Sequence, residues 1–255
     1  SAGSMLDGLK IKAQALSKAL FALISNPYVL AILGIAGTVM AVKWWYDYNV
    51  GLMEATRLTK DFTGKTGDDL KNFRNEVQAT ADTFGKDFEE VLKSANNVAQ
   101  QFGISVDEAL NYIQDGFVAG ADANGNYLES IEEFPAYFKE AGLSADQFIA
   151  VVAQSNKMGV VGNKALDSIK EANIRLREMT DSTAEALDGI GMSSDKVQKA
   201  LTDGSKSTFD IMQEVSTKLS ELPANSKEVG TAIADIFGGP GEDAGLQYLT
   251  TIKDI

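Results

Sequence analysis

Apolar side chains recur along this chain at helical spacing. From Leu6 to Ile24 they fall at Leu6, Leu9, Leu16, Leu20, Leu23 and Ile24, with Ala13, Ala15, Ala19 and Ala22 between them. That stripe in alanine-rich composition predicts a helix. Asn26-Pro27 ends it, because a residue before proline is pushed out of the α region and proline suits the first turn of a new helix. The most apolar stretch follows, Tyr28 to Val42, with no charge and with Thr38 as its one polar side chain besides the Tyr28 hydroxyl. From Gly51 onward no strand-like alternation exceeds four residues. Amphipathic runs predict helices over 68–84 (Leu70, Phe73, Val77, Ala81, Phe84) and 86–102 (Phe88, Val91, Leu92, Ala95, Val98, Ala99, Phe102). Further helices are expected over 107–118, 131–139, 145–158, 164–179, 194–201, 207–219, 227–237 and 242–252. None is long enough for a coiled coil with sustained heptads.

One signal separates these runs three times: Gly, aliphatic, Ser, x, Asp, x, apolar. It stands at Gly103-Ile104-Ser105-Val106-Asp107-Glu108-Ala109, at Gly142-Leu143-Ser144-Ala145-Asp146-Gln147-Phe148, and at Gly191-Met192-Ser193-Ser194-Asp195-Lys196-Val197. Glycine closes the preceding helix in the left-handed conformation. Serine is the next N-cap, the aliphatic residue its hydrophobic staple, and the aspartate meets the positive end of the helix dipole. Glu108 and Gln147 complete a capping box in the first two copies; Lys196 breaks it in the third. The copies lie 39 and 49 residues apart. That spacing is too loose for a strict solenoid and fits an irregular array of helical hairpins.

The expected fold is therefore all-α: an N-terminal apolar helical segment followed by an irregular multi-helix bundle or array. Residues 1–4, Ser-Ala-Gly-Ser, read as a tag scar, residues 5–60 as the apolar segment, and residues 61–255 as an acidic core domain; the chain reads as a piece of a longer protein. The expected core is Phe73, Val77, Phe84, Phe88, Val91, Leu92, Phe102, Leu110, Ile113, Phe134, Phe138, Phe148, Val151, Val152, Ile169, Ile174, Phe209, Met212, Val215, Ile233, Ile236 and Phe237.

Charge sharpens this division. Residues 1–60 hold six Lys/Arg and three Asp/Glu, whereas residues 61–255 hold 17 and 33. An acidic chain is a poor ligand for phosphate backbones, so no direct nucleic-acid binding is expected. The sequence has no His and no Cys. That excludes His-based triads, thiol nucleophiles, disulfides and the usual zinc sites, and neither enzymatic activity, a cofactor nor a metal is expected.

Tyr28 to Val42 would span about 22 Å as helix, against about 30 Å for a bilayer core. Extension through Tyr46 gives about 28 Å, with Lys43 snorkelling and the aromatic residues at the interface. The stretch fits two readings, a buried core helix and a membrane-inserting segment. On the second, the membrane-interacting residues are Tyr28, Val29, Leu30, Ile32, Leu33, Ile35, Val39, Met40, Val42, Trp44 and Trp45. A hairpin of helices 6–24 and 28–46 would also suit a pore-forming protein.

Three motifs come close to chemistry and miss. Thr59 to Thr66 lacks the first glycine of a P-loop and has no preceding strand; it reads as a Thr/Gly linker. Asp122-Ala123-Asn124-Gly125-Asn126 is oxygen-rich like a calcium loop, but Tyr127 stands where glycine is needed, so a turn is expected. Gly238-Gly239-Pro240-Gly241 precedes Glu242 and Asp243, which would repel phosphate from the helix end; it reads as a stiff helix break. Neighbouring carboxylates such as Asp68-Asp69, Glu89-Glu90 and Glu132-Glu133 read as solvated faces.

Taken together, Asn26 to Tyr46, the segment from Phe84 to Gly191 with its capping signatures, and Ile236 to Gly245 resemble phage tail tape-measure proteins over roughly residues 26–250. The resemblance implies a structural component of a phage or prophage tail. Such a chain is largely helical inside the tail tube, sets tail length in assembly, and leaves at infection, when apolar segments help the genome cross the host envelope. It also implies tail tube and tail assembly chaperone proteins as partners, self-association, and contact with the host membrane. No catalytic residues come with it. Unlike that family, this chain carries no long coiled-coil repeat.

Overall fold

The structure is a computed structural model that describes residues 27–160 and 163–255; in residues 27–44 it describes the backbone and, of the side chains, Lys43 alone. The described residues are all-α, without a strand. Helix α1 (Pro27–Thr63) opens on proline, as the sequence predicts, and runs into the stretch read as a Thr/Gly linker, of which Gly64, Lys65 and Thr66 remain outside the helix. The chain divides between Arg57 and Leu58 into two units, and Leu58–Ile255 forms one compact body.

Within that body follow α2 (Gly67–Phe84), α3 (Phe88–Phe102), α4 (Val106–Val118), α5 (Tyr127–Glu133), α6 (Pro135–Ala141), α7 (Ala145–Lys157), α8 (Lys164–Glu178) and α9 (Asp181–Gly189). Then come α10 (Ser194–Asp203), α11 (Thr208–Glu221), α12 (Lys227–Ala232), a π turn (Ile233–Phe237), α13 (Gly238–Ala244), α14 (Leu246–Leu249) and a closing 3-10 turn (Ile252–Asp254). Two helices act as hubs. Helix α3 packs against α2, α4, α5 and α6, and α8 packs against α6, α7, α11, α13 and the π turn. Helices α6 and α7, which also touch each other, join the two halves.

The three repeated signatures are helix junctions. Gly103, Gly142 and Gly191 take positive φ of 72°, 98° and 80°. In each, the following aliphatic amide reaches back to close the old helix: Ile104 to the Ala99 carbonyl (3.1 Å), Leu143 to Phe138 (3.0 Å) and Met192 to Leu187 (2.9 Å). Ser105 Oγ then accepts from the Glu108 amide (3.1 Å) and Ser193 Oγ from Lys196 (3.4 Å). The return bond of a capping box forms at Ser144, whose amide donates to Gln147 Oε1 at 3.0 Å. At Ser105 no such return bond forms: Glu108 Oε1 accepts instead from the Tyr112 hydroxyl, one turn on (3.1 Å). Ser207 and Asp210 make a further box, which reading the glycine signature alone passes over.

Most expected core residues are buried, with Phe102, Phe138 and Phe148 in ring contact at 5.9 and 4.9 Å. Phe84, Phe88 and Ile233 are half-buried against that core. Ile174 is a correction: it is 38% exposed, because α8 buries Ile169, Ala172, Asn173 and Leu176 and turns position 174 outward. Four further differences concern helix boundaries. The run expected over 131–139 is two helices, α5 and α6, parted at Pro135, which has no amide to continue the ladder. Helix α9, capped by Thr180, lies in a stretch where no helix was expected. The helix break at 238–241 is confined to Gly238 (φ 66°, ψ −166°), and Gly239, Pro240 and Gly241 belong to the first turn of α13. The helix expected over 242–252 is three short pieces, because Gly245 takes φ 83° and ψ 153°.

Candidate functional site

All the residues named for membrane contact fall in α1. The side chains of Tyr28 to Val42 and of Trp44 lie outside the described residues. Trp45 is described and is 62% exposed, followed on the same helix by exposed Tyr46, Tyr48, Val50 and Met53. Local bonds recur along this stretch: Asn49 Nδ2 donates to the Trp45 carbonyl (2.7 Å) and Thr56 Oγ1 to that of Leu52 (2.6 Å). Among the described residues, no helix is long and apolar enough to cross a membrane.

The near-miss motifs are absorbed into the fold. Thr59 is fully buried and accepts at its carbonyl from Thr63 Oγ1 (2.6 Å), so the P-loop-like stretch is the end of a helix. Lys65, which would have faced phosphate, pairs with Asp107 (2.7 Å) and lies over the Phe73 ring. Asp122 pairs with Lys86 (2.7 Å) and accepts from the Tyr127 amide (3.3 Å). Asn124 donates to Asn156 (2.6 Å) and Asn126 to Asn163 (3.2 Å). The oxygen-rich loop is thus a turn stitched to three other parts of the chain. Among the described residues no cluster of three or more acidic side chains could hold a metal ion.

The Gly238 junction is clasped from α8. Arg175 Nε donates to Glu171 Oε1 (2.7 Å) and its Nη1 to the Ala234 carbonyl (3.2 Å), while Thr183 Oγ1 donates to the Asp235 carbonyl (3.2 Å). These two bonds satisfy carbonyls in the π turn. A Cβ at position 238 would lie 2.8 Å from Glu171 Cγ, so glycine is needed there for space as well as for its backbone. Downstream, Lys164 pairs with Asp243 (2.9 Å), which raises the lysine's proton affinity through that bond and charge.

Many polar groups of this body tie helix to helix, and Asp, Ser or Thr side chains cap the starts of α3, α4, α9, α10, α11 and α12. Such an arrangement defines an all-helical structural module. Residues 52–238 match the family model described as phage-related minor tail protein. The match covers more than half of the chain, and the chain belongs to that family. It is a structural component of a phage tail, hence part of the virion, and associates with other tail proteins. No curated protein and no solved structure matches the chain.

Proposed function

We propose that this tail protein is of the tape-measure type: it lies in the lumen of the tail tube, takes part in setting tail length, and aids genome delivery across the host envelope. One observation carries the reading. The chain joins an uncharged apolar run, residues 28–42, to an acidic helical body inside a minor-tail family match. A body with 33 acidic against 17 basic side chains repels phosphates on balance, which suits a chain in the path of DNA. The exposed Trp45, Tyr46 and Tyr48 suit the interface of a bilayer entered by the preceding run. Tail tube and assembly chaperone proteins are the partners this reading requires, with the host membrane met at infection.

Cryo-EM of the intact tail tests the placement: density for this chain inside the tube is expected, and its absence there overturns the reading. Liposome flotation of the chain, beside a version lacking residues 1–50, tests the membrane part. Flotation lost on deletion supports it, and no flotation of the full chain removes it. Dye leakage caused by the purified chain would favour a pore-forming protein instead.

A further inference from the structure

The faces of α4 and α7 enclose an open groove of 240 Å³. Its floor is Gly116, Ala119, Ile149, Ala150 and Ala153, and its rim carries Tyr112, Asp115 and Asp146. The floor is held in shape from beneath. Tyr127 is fully buried, runs under Gly116, and donates its hydroxyl to the Ile113 carbonyl (3.1 Å). A Cβ on Gly116 would sit 2.0 Å from that oxygen. Small side chains thus leave a trough over a packed base.

Three carboxylates surround the rim. The Tyr112 hydroxyl donates to Glu108, and its proton affinity is raised first by that bond, then by partial burial and by the charges of Glu108, Asp146 and Asp115. Each of these acids is without an ion pair among the described residues. The capping of α7 accounts for Asp146 in part; nothing in the fold neutralises Asp115.

We propose that this groove docks an amphipathic helix of a partner protein, with an apolar ridge on the small-residue floor and lysine or arginine side chains against Asp115 and Asp146. Charge complementarity selects the partner's sign. A second copy would bring a body with 33 acidic against 17 basic side chains to an acidic rim, and is disfavoured. Backbone chemistry selects a helix. The groove walls are helices with their own amides and carbonyls paired, so an extended peptide would find no main-chain partners there, whereas a helix arrives with its backbone satisfied. The inference does not depend on the tape-measure reading.

The test uses methyl NMR on the full chain, with a synthetic amphipathic helix of leucine and lysine as probe and its leucine-glutamate counterpart as control. Shifts confined to Ile149, Ala119, Ala150 and Ala153 are expected with the lysine peptide alone. Ala150→Trp, at an exposed position, fills the trough and should weaken binding about tenfold or more. Asp115→Asn with Asp146→Asn should remove most of its salt dependence. Equal binding of the glutamate peptide, shifts spread over the acidic surface, or binding indifferent to Ala150→Trp would each overturn the proposal.

Discussion

Gly116→Ala and Gly230→Ala are the same chemical change in two helices of one protein, and the structure gives them opposite signs. In α12, a Cβ at Gly230 meets nothing within 4 Å. There the better helix propensity of alanine should stabilise by about 0.5–1 kcal/mol. In α4, a Cβ at Gly116 would lie 2.0 Å from Tyr127 Oη, 2.6 Å from its Cζ and 2.8 Å from Ile149 Cγ2. The Tyr127 ring is fully buried between helices and its hydroxyl bond to Ile113 would break if it swung aside. Overpacking costs about 1–3 kcal/mol and an orphaned buried hydroxyl about 1–3 kcal/mol. Against a propensity gain of about 1 kcal/mol, the net is a destabilisation of about 1–5 kcal/mol. Urea unfolding followed by far-UV circular dichroism reads both variants as shifts in midpoint at constant slope. In a Tyr127→Leu background, which removes the obstructing ring, Gly116→Ala should lose most of its penalty, and the double-mutant cycle gives the coupling directly. A Gly116→Ala variant as stable as the parent, or a cycle with no coupling, would refute the reasoning.

The other predictions use the same unfolding assay. Phe148→Ala empties the site between Phe102 and Phe138 and should cost about 3–5 kcal/mol; a loss below about 1 kcal/mol would mean that the ring cluster is not the centre of the core. Gly238→Ala forces a backbone conformation nearly confined to glycine and pushes on Glu171, and should cost about 2–4 kcal/mol, with Arg175→Ala in that background adding less than it does alone. Ser207→Ala removes the cap of α11 and should cost about 1 kcal/mol. Burial raises the pKa of Tyr248, and burial followed by the Asp115 and Asp122 charges raises that of Tyr127, so both hydroxyls resist ionisation in the folded state. Their contribution is therefore whole below the unfolded tyrosine value near about 10 and is lost as pH rises toward the folded-state values, by up to about 1.4 kcal/mol per pH unit for each. Urea midpoints unchanged between about pH 9 and 11 would contradict that burial.

The all-α class and most helix positions were legible because the interactions that set them are short in sequence. The backward bonds from Ile104, Leu143 and Met192 span five residues, and the serine caps span three. A glycine-aliphatic-serine signature therefore carries its own structure wherever it stands. Apolar periodicity likewise named the buried faces of α2 and α3, since an amphipathic helix has one face to bury. It misplaced Ile174 because α8 buries Ala172 and Asn173 fully and leaves position 174 38% exposed, and only packing reveals how far each face is covered. Tertiary structure also decided the fate of the suggestive motifs. Lys65 found Asp107, Asp122 found Lys86, and Arg175 found the Ala234 carbonyl, partners 36 to 59 residues distant that no local pattern announces. Membership of a tail protein family follows from the sequence; the α4–α7 groove, built where a buried tyrosine from α5 passes beneath a glycine in α4, exists only once the chain has folded.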